Sequence, residues 1–175
     1  MSAAAPLIAP EVEAEFLAAA DAVPVWMLAY LADIALGEVG LTVPEFNEEA
    51  GGGHFTSFAG FPNWAGIHHV VGGKVYLSKG AGEEQDEKGT WAKIVAATHV
   101  PDFSPRSQLI GNAWWAGEVY REGCGRDFLT DLKAGIMAPA GRHALASQWG
   151  RGVVAGPPGA IYKALLALFE AKLAA

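Results

Sequence analysis

The stretch from Val23 to Leu36, VPVWMLAYLADIAL, limits what this chain can become more than any other. Its apolar residues go nearly all the way round a helix instead of forming a stripe, and such a helix is stable only when surrounded. A bilayer span takes about 20 apolar residues; this run is shorter, contains Asp33 and has a proline, Pro24, at its start, so no stable membrane insertion is expected. The pattern predicts a central helix from Pro24 to about Glu38, with proline in the first turn and Gly37 and Gly40 marking its end. The other residues must build a shell around it. With 175 residues, 51% hydrophobic and 18% charged, the chain is long and apolar enough for one real core, and its composition excludes disorder.

On either side the periodicity changes. Residues 11–22 read as a helix behind Pro10, inside an N-terminal segment of residues 1–23. Residues 40–66 hold glycines and aromatics without a helical period. IHHVV and KVYLS, joined by Gly72-Gly73, predict a β-hairpin, because both turn positions accept positive φ. The β lobe is expected over about residues 50–80. From TWAKIVAATH onward the pattern is helical again, with Trp91, Ile94, Val95 and Thr98 on one face. Ser104 is the expected N-cap of the next helix and Pro105 its first residue. The fold class is α+β: a mainly helical lobe and a small β-hairpin lobe within one domain, residues 24–175.

Several chemistries start with little support. Net charge is −7 and there is no basic run, which argues against nucleic acid. A lone cysteine, Cys124, precludes an intrachain disulfide and fits a reducing compartment. It is expected near a helix start as a buried or idle thiol. His68 and His69 are adjacent, so in a strand they point to opposite faces and share an ion poorly. No metal and no cofactor is expected. Phe55, Phe58, Phe61 and Trp64 suit both a small-lobe core and sugar stacking, while Trp114, Trp115 and Trp149 fall at helical spacings expected of core.

The order of short motifs is more specific. LADIALGEVG is followed by HFTSFAGFP, SKGAGEEQ, TW and VPDFSPRSQ. This series resembles the phage lambda-type endolysins, lysozyme-like enzymes that cleave peptidoglycan. Phe55, Thr56, Phe58 and Pro62 fall on the family's second motif; Ser78, Gly80, Ala81, Gly82 and Gln85 on its third. Asp102, Phe103, Ser104, Pro105, Ser107 and Gln108 fall on its fourth. Two departures stand out: Val39 separates Glu38 from Gly40, and Glu83-Glu84 replace an Arg-Tyr pair.

The resemblance implies a lysozyme-like fold with the active-site cleft between the lobes and peptidoglycan glycan strands as the partner. It implies Glu38 as the catalytic acid and base, with Phe55, Phe58, Ser78, Gly80, Gly82 and Gln85 as substrate-binding residues. The family's single glutamate protonates the MurNAc–GlcNAc β-1,4 oxygen, then helps the C6 hydroxyl attack, leaving an anhydro sugar. Glu38 ends an apolar helix, and both desolvation and the helix C-terminus are expected to push its pKa upward. Asn47 stands where hydrolytic phage lysozymes of another class carry aspartate. Glu45, Glu48 and Glu49 remain available as a second carboxylate for water-using hydrolysis, which ordinarily needs two. A third reading is a wall-binding or virion structural protein that keeps the fold without turnover. Residues 1–16 have neither a basic region nor a long apolar core, so no signal peptide is expected. A monomer held in the host cytoplasm until holin-type release to the periplasm and wall is the expectation that follows. In SKGAGEEQDEKGTW, Gly80 and Gly82 predict a tight turn at the cleft edge. The acids after it are expected at a helix N-terminus.

Overall fold

A computed structural model describes residues 8–38, 46–50, 53–71, 73–82, 85–149, 157 and 159–175, the side chains of Glu38, Glu48, His69, Val71 and Tyr76 excepted. Its helices are α1 (Pro10–Ala18), α2 (Val25–Glu38), α3 (Lys88–Thr98), α4 (Pro105–Cys124), α5 (Phe128–Lys133), α6 (Pro139–Trp149) and α7 (Ala160–Leu173). Between α2 and α3 lie β1 (Glu48–Glu49), β2 (Gly53–His54), β3 (Ile67–Val71) and β4 (Lys74–Ser78). They form two antiparallel pairs, β1 with β2 and β3 with β4.

The apolar run becomes α2, and every side chain from Met27 to Ala35 is buried. It packs on α4, α5 and α7. Tyr30 meets Phe128 edge-on at 4.8 Å between ring centroids. The first helix enters the same core: Ile8, Val12 and Phe16 are buried, and Phe16 stacks on Phe169 of α7 at 5.7 Å. Glu13 and Lys172 form an ion pair at 2.8 Å above that stack. The Arg106 guanidinium fastens the end of α1 to the start of α4, donating to the Ala18 carbonyl at 2.8 Å and to Asp21 Oδ1 at 2.6 Å.

Helices α4 and α6 approach closely because Gly123 and Gly141 put no side chain between them. A Cβ on Gly141 would lie 2.2 Å from Cε2 of the buried Tyr120 ring. The Tyr120 hydroxyl is held on both sides, donating to Asp131 Oδ2 at 2.7 Å and accepting from the Ala138 amide at 2.6 Å. Burial, and then the bond to Asp131, push its pKa up to about 12. Arg126 grips the same carboxylate with two bonds of 2.6 and 2.5 Å and holds Asp131 below the usual range.

A second, smaller core of Phe55, Ala81, Trp91, Ile94, Val100 and Phe103 supports the β segments. Val95, expected beside Trp91 and Ile94, is 37% exposed instead. Helix α3 packs chiefly on one helix, α4, so its covered stripe is narrower than its apolar pattern. Cys124 also differs from expectation. It is the last residue of α4, ahead of Gly125 at φ +71°, and its thiol contacts the Tyr120 carbonyl at 3.2 Å. The hairpin is paired as predicted, with Val71 opposite Lys74 and Gly73 at φ +78°. Ser104 caps α4 by accepting from the Ser107 amide, and Pro105 opens that helix. Among the described residues no helix is long and apolar enough to cross a membrane.

Candidate active site

Within SKGAGEEQ the described residues, Ser78 to Gly82 and Gln85, come together in a turn. Gly80 and Ala81 are buried, and Ala81 exchanges both backbone hydrogen bonds with Asp86, at 2.9 and 2.8 Å. Gly82 sits at φ +82°, where a Cβ would meet Gln108 Oε1 at 2.3 Å and Phe103 Cζ at 3.0 Å, so only glycine fits. Gln85 takes φ +52°, and its side-chain amide closes the turn by donating to the Gly82 carbonyl at 2.9 Å. Ser78 donates to Glu87 Oε1 at 3.1 Å and accepts from the Gly80 amide at 3.4 Å. The Trp64 indole donates to the Lys79 carbonyl at 3.2 Å, which pins the aromatic loop to the entry of the turn.

Segments far apart in the chain meet at this turn. The Ala50 amide donates to the Gly80 carbonyl at 2.9 Å, and Glu49 bridges to Ala81, so β1 runs alongside. Asn47 clasps Phe55 in both directions, by side chain to backbone and by backbone to backbone, each at 3.0 Å. Phe55 is 7% exposed. Its ring packs on Phe58 at 5.3 Å and Phe103 at 5.6 Å, a wall seen from within. Phe58 is half-buried and lines a hollow of about 220 Å³ with Phe46, Asn47, Pro105 and two α1 acids, Glu11 and Glu15. Of the six residues expected to bind substrate, Phe55, Phe58 and Gly82 adjoin Phe103, while Ser78, Gly80 and Gln85 belong to the turn itself.

Glu38 is the last residue of α2. Its carboxyl group and the expected upward pKa lie outside the described residues. So do Glu45, Glu83, Glu84 and the carboxyl of Glu48, whose backbone in β1 pairs with His54 of β2. Among the described residues no three histidine, cysteine or acidic side chains stand close enough to share a metal.

Two buried polar groups escaped the sequence reading. Gln108 donates from Nε2 to the Phe46 carbonyl at 2.9 Å and to the Phe103 carbonyl at 2.8 Å, tying three segments beneath Gly82. Its place in DFSPRSQ marked it as part of a motif without revealing that task. In the same motif Asp102 accepts from the hydroxyls of Ser104 and Ser107, both at 2.6 Å, and these bonds hold its carboxyl below the usual range. Asp86, expected among solvated acids at a helix start, is 3% exposed. Asn112 Nδ2 donates to its Oδ2 at 2.8 Å, and burial pushes its pKa up to about 7. The mutual bonds with Ala81 draw it inward, whereas Glu87 stays exposed as the N-cap of α3.

Solved structures with a similar fold exist. Bacteriophage lambda lysozyme complexed with a chitohexasaccharide superposes with a TM-score of 0.55 over 85% of this chain and 94% of that one, at 18% identity. Lysozyme from bacteriophage lambda gives 0.53 over the same shares at 21% identity. The fold is that of lambda lysozyme. No protein-family model and no curated protein matches the chain. The lysozyme-like architecture expected from the motifs is the one adopted: seven helices among the described residues with small antiparallel β pairs inserted between the second and third.

Proposed function

We propose that this protein is a peptidoglycan-degrading enzyme that cleaves the MurNAc–GlcNAc β-1,4 bond as a lytic transglycosylase, with Glu38 as acid and base. The observation that carries the reading is the likeness to a lysozyme that held a chitohexasaccharide, together with Glu38 at the end of the most buried helix. Helix α2 is fixed on all sides, so the acid at its end starts from a rigid element. The Ser78–Gln85 turn, with Phe58 beside it, forms the opposing wall for the sugar.

The chemistry needs two proton transfers through one carboxyl group. Glu38 in its neutral form donates to the glycosidic oxygen as the bond to the anomeric carbon breaks. The resulting carboxylate then takes the proton of the MurNAc C6 hydroxyl, whose oxygen closes on the anomeric carbon. Water enters no step, and the product carries a 1,6-anhydro ring. If Glu45 or Glu48 served as a second carboxylate, a hydrolysed reducing end would form instead. Access to the wall would come through a holin-type lesion.

Clearing of purified sacculi by the full chain tests the enzyme. Glu38→Gln should lower the rate by about 100-fold or more while the far-UV spectrum stays that of the parent. Absence of clearing by the parent would leave a wall-binding or virion structural role in its place. Mass spectra of released muropeptides, lighter by one water for an anhydro end, decide the reaction type.

A further inference from the structure

The β3–β4 hairpin carries a surface that the proposed chemistry does not use. Its register sets Val70 opposite Val75 and His68 opposite Leu77, and side chains alternate along a strand, so these four share one face. That face is bare: Val70 is 71% exposed, Val75 64% and Leu77 49%, with His68 exposed among them. Single exposed aliphatics are ordinary, whereas a contiguous group marks a contact surface. Among the described residues the two strands pair with each other and pack on no helix more than marginally.

Charge separates this lobe from the rest of the molecule. From Ala50 to Gly82 the chain has no Asp or Glu, although it has 19 elsewhere, and it has Lys74, Lys79 and three histidines. Lys74 is exposed at the end of the ribbon, directly after the turn. A protein of net charge −7 thus presents a cationic, aliphatic tip.

We propose that the β3–β4 hairpin docks on an anionic lipid surface, with Val70, Val75 and Leu77 entering the interface and Lys74 among the headgroups. Aliphatic side chains leave water there, while a lysine stem lies along the apolar boundary and keeps its ammonium in the polar layer. Anionic headgroups attract that ammonium at short range. The ribbon also sets its tip, with Val70, Lys74 and Val75, apart from its base, where Ser78 donates to Glu87. Five residues extend about 17 Å, roughly two screening lengths at physiological salt. Two other occupants fit less well. Saccharides are gripped by aromatic faces and planar hydrogen-bonding groups, which valine and leucine lack, and the same acid-free tip of a second copy would offer Lys74 another cation instead of an anion. The inference stands apart from the proposed cleavage.

Sedimentation of the full chain with sucrose-loaded vesicles tests it, comparing equal parts phosphatidylglycerol and phosphatidylcholine with phosphatidylcholine alone. The protein should pellet with the anionic vesicles and stay in solution with the neutral ones. Val70→Ser with Val75→Ser, and separately Lys74→Glu, should each lower the bound fraction by about fivefold or more. Both variants should melt like the parent, since the sites are exposed. Failure of the parent to pellet, or undiminished pelleting of both variants, overturns the proposal. Loss of chitooligosaccharide affinity in the valine variant with lipid binding intact would assign the face to glycan. A dimer in ultracentrifugation that the same variant abolishes would assign it to a second copy.

Discussion

At the scale of single residues, Asp86 makes the most specific demand on the protein. Its carboxyl is buried beneath the turn that carries Gly80 and Gly82, with one oxygen bonded to Asn112 and no partner for Oδ1 among the described residues. Burial raises its pKa from 3.8 to about 7. Between those values the unfolded chain has released the proton and the folded chain has kept it, so this group's contribution falls as pH rises. Asp86→Asn should match the parent below pH 4. It should become more stable by about 4 kcal/mol at pH 8, the linkage value of a shift of this size. Urea unfolding of both proteins across that range checks it; parallel curves would mean that Asp86 is solvated. The neighbouring letters disguise this residue. Glu83, Glu84, Asp86 and Glu87 look alike in a row, and the burial of one follows from the Ala81–Asp86 bridge, a pairing that no local pattern announces.

Elements were more legible than their burial. The apolar run dictated α2 and placed Glu38 at its end, because a helix without a polar face has one environment open to it. Gly72-Gly73 and Ser104-Pro105 set the hairpin and the start of α4 through backbone geometry alone. Contacts between distant elements were not legible. Gly141 read as one small residue in a helix, yet it sets the distance between α4 and α6 by admitting the Tyr120 ring. That ring is stacked on Phe128 at 4.5 Å and tethered through its hydroxyl, so it has nowhere to move. Gly141→Ala should therefore cost about 3 kcal/mol, the upper end for overpacking. The urea midpoint would fall with an unchanged slope. Gly117, on α4 with nothing within 4 Å of an added Cβ, serves as the control and should tolerate alanine.

For the whole molecule the decisive quantity is charge. A body of −7 approaching an anionic wall is repelled, and the repulsion reaches about 30 Å at 10 mM salt but about 8 Å at 150 mM. Clearing of sacculi should accelerate severalfold over that interval. An initial rate that falls instead would mean that the acid-free lobe, not the net charge, governs the encounter. The chemistry at this scale was legible only through the motifs. Composition fixed the size of the core, while the cleavage reading came from short patterns held together by Gln108 and Phe103 across three segments.

The stack of Phe16 on Phe169 also has a consequence for synthesis. Helix α2 appears early from the ribosome, but α7, one of its walls, appears last among the described helices. Until Phe169 has emerged, the most apolar segment of the chain lacks that cover, and the core cannot close. Completion of the fold is thus tied to the emergence of α7. Until then a nascent chain would keep α2 as a client for holdase chaperones, so the wall-directed activity proposed here would begin only after α7 had emerged.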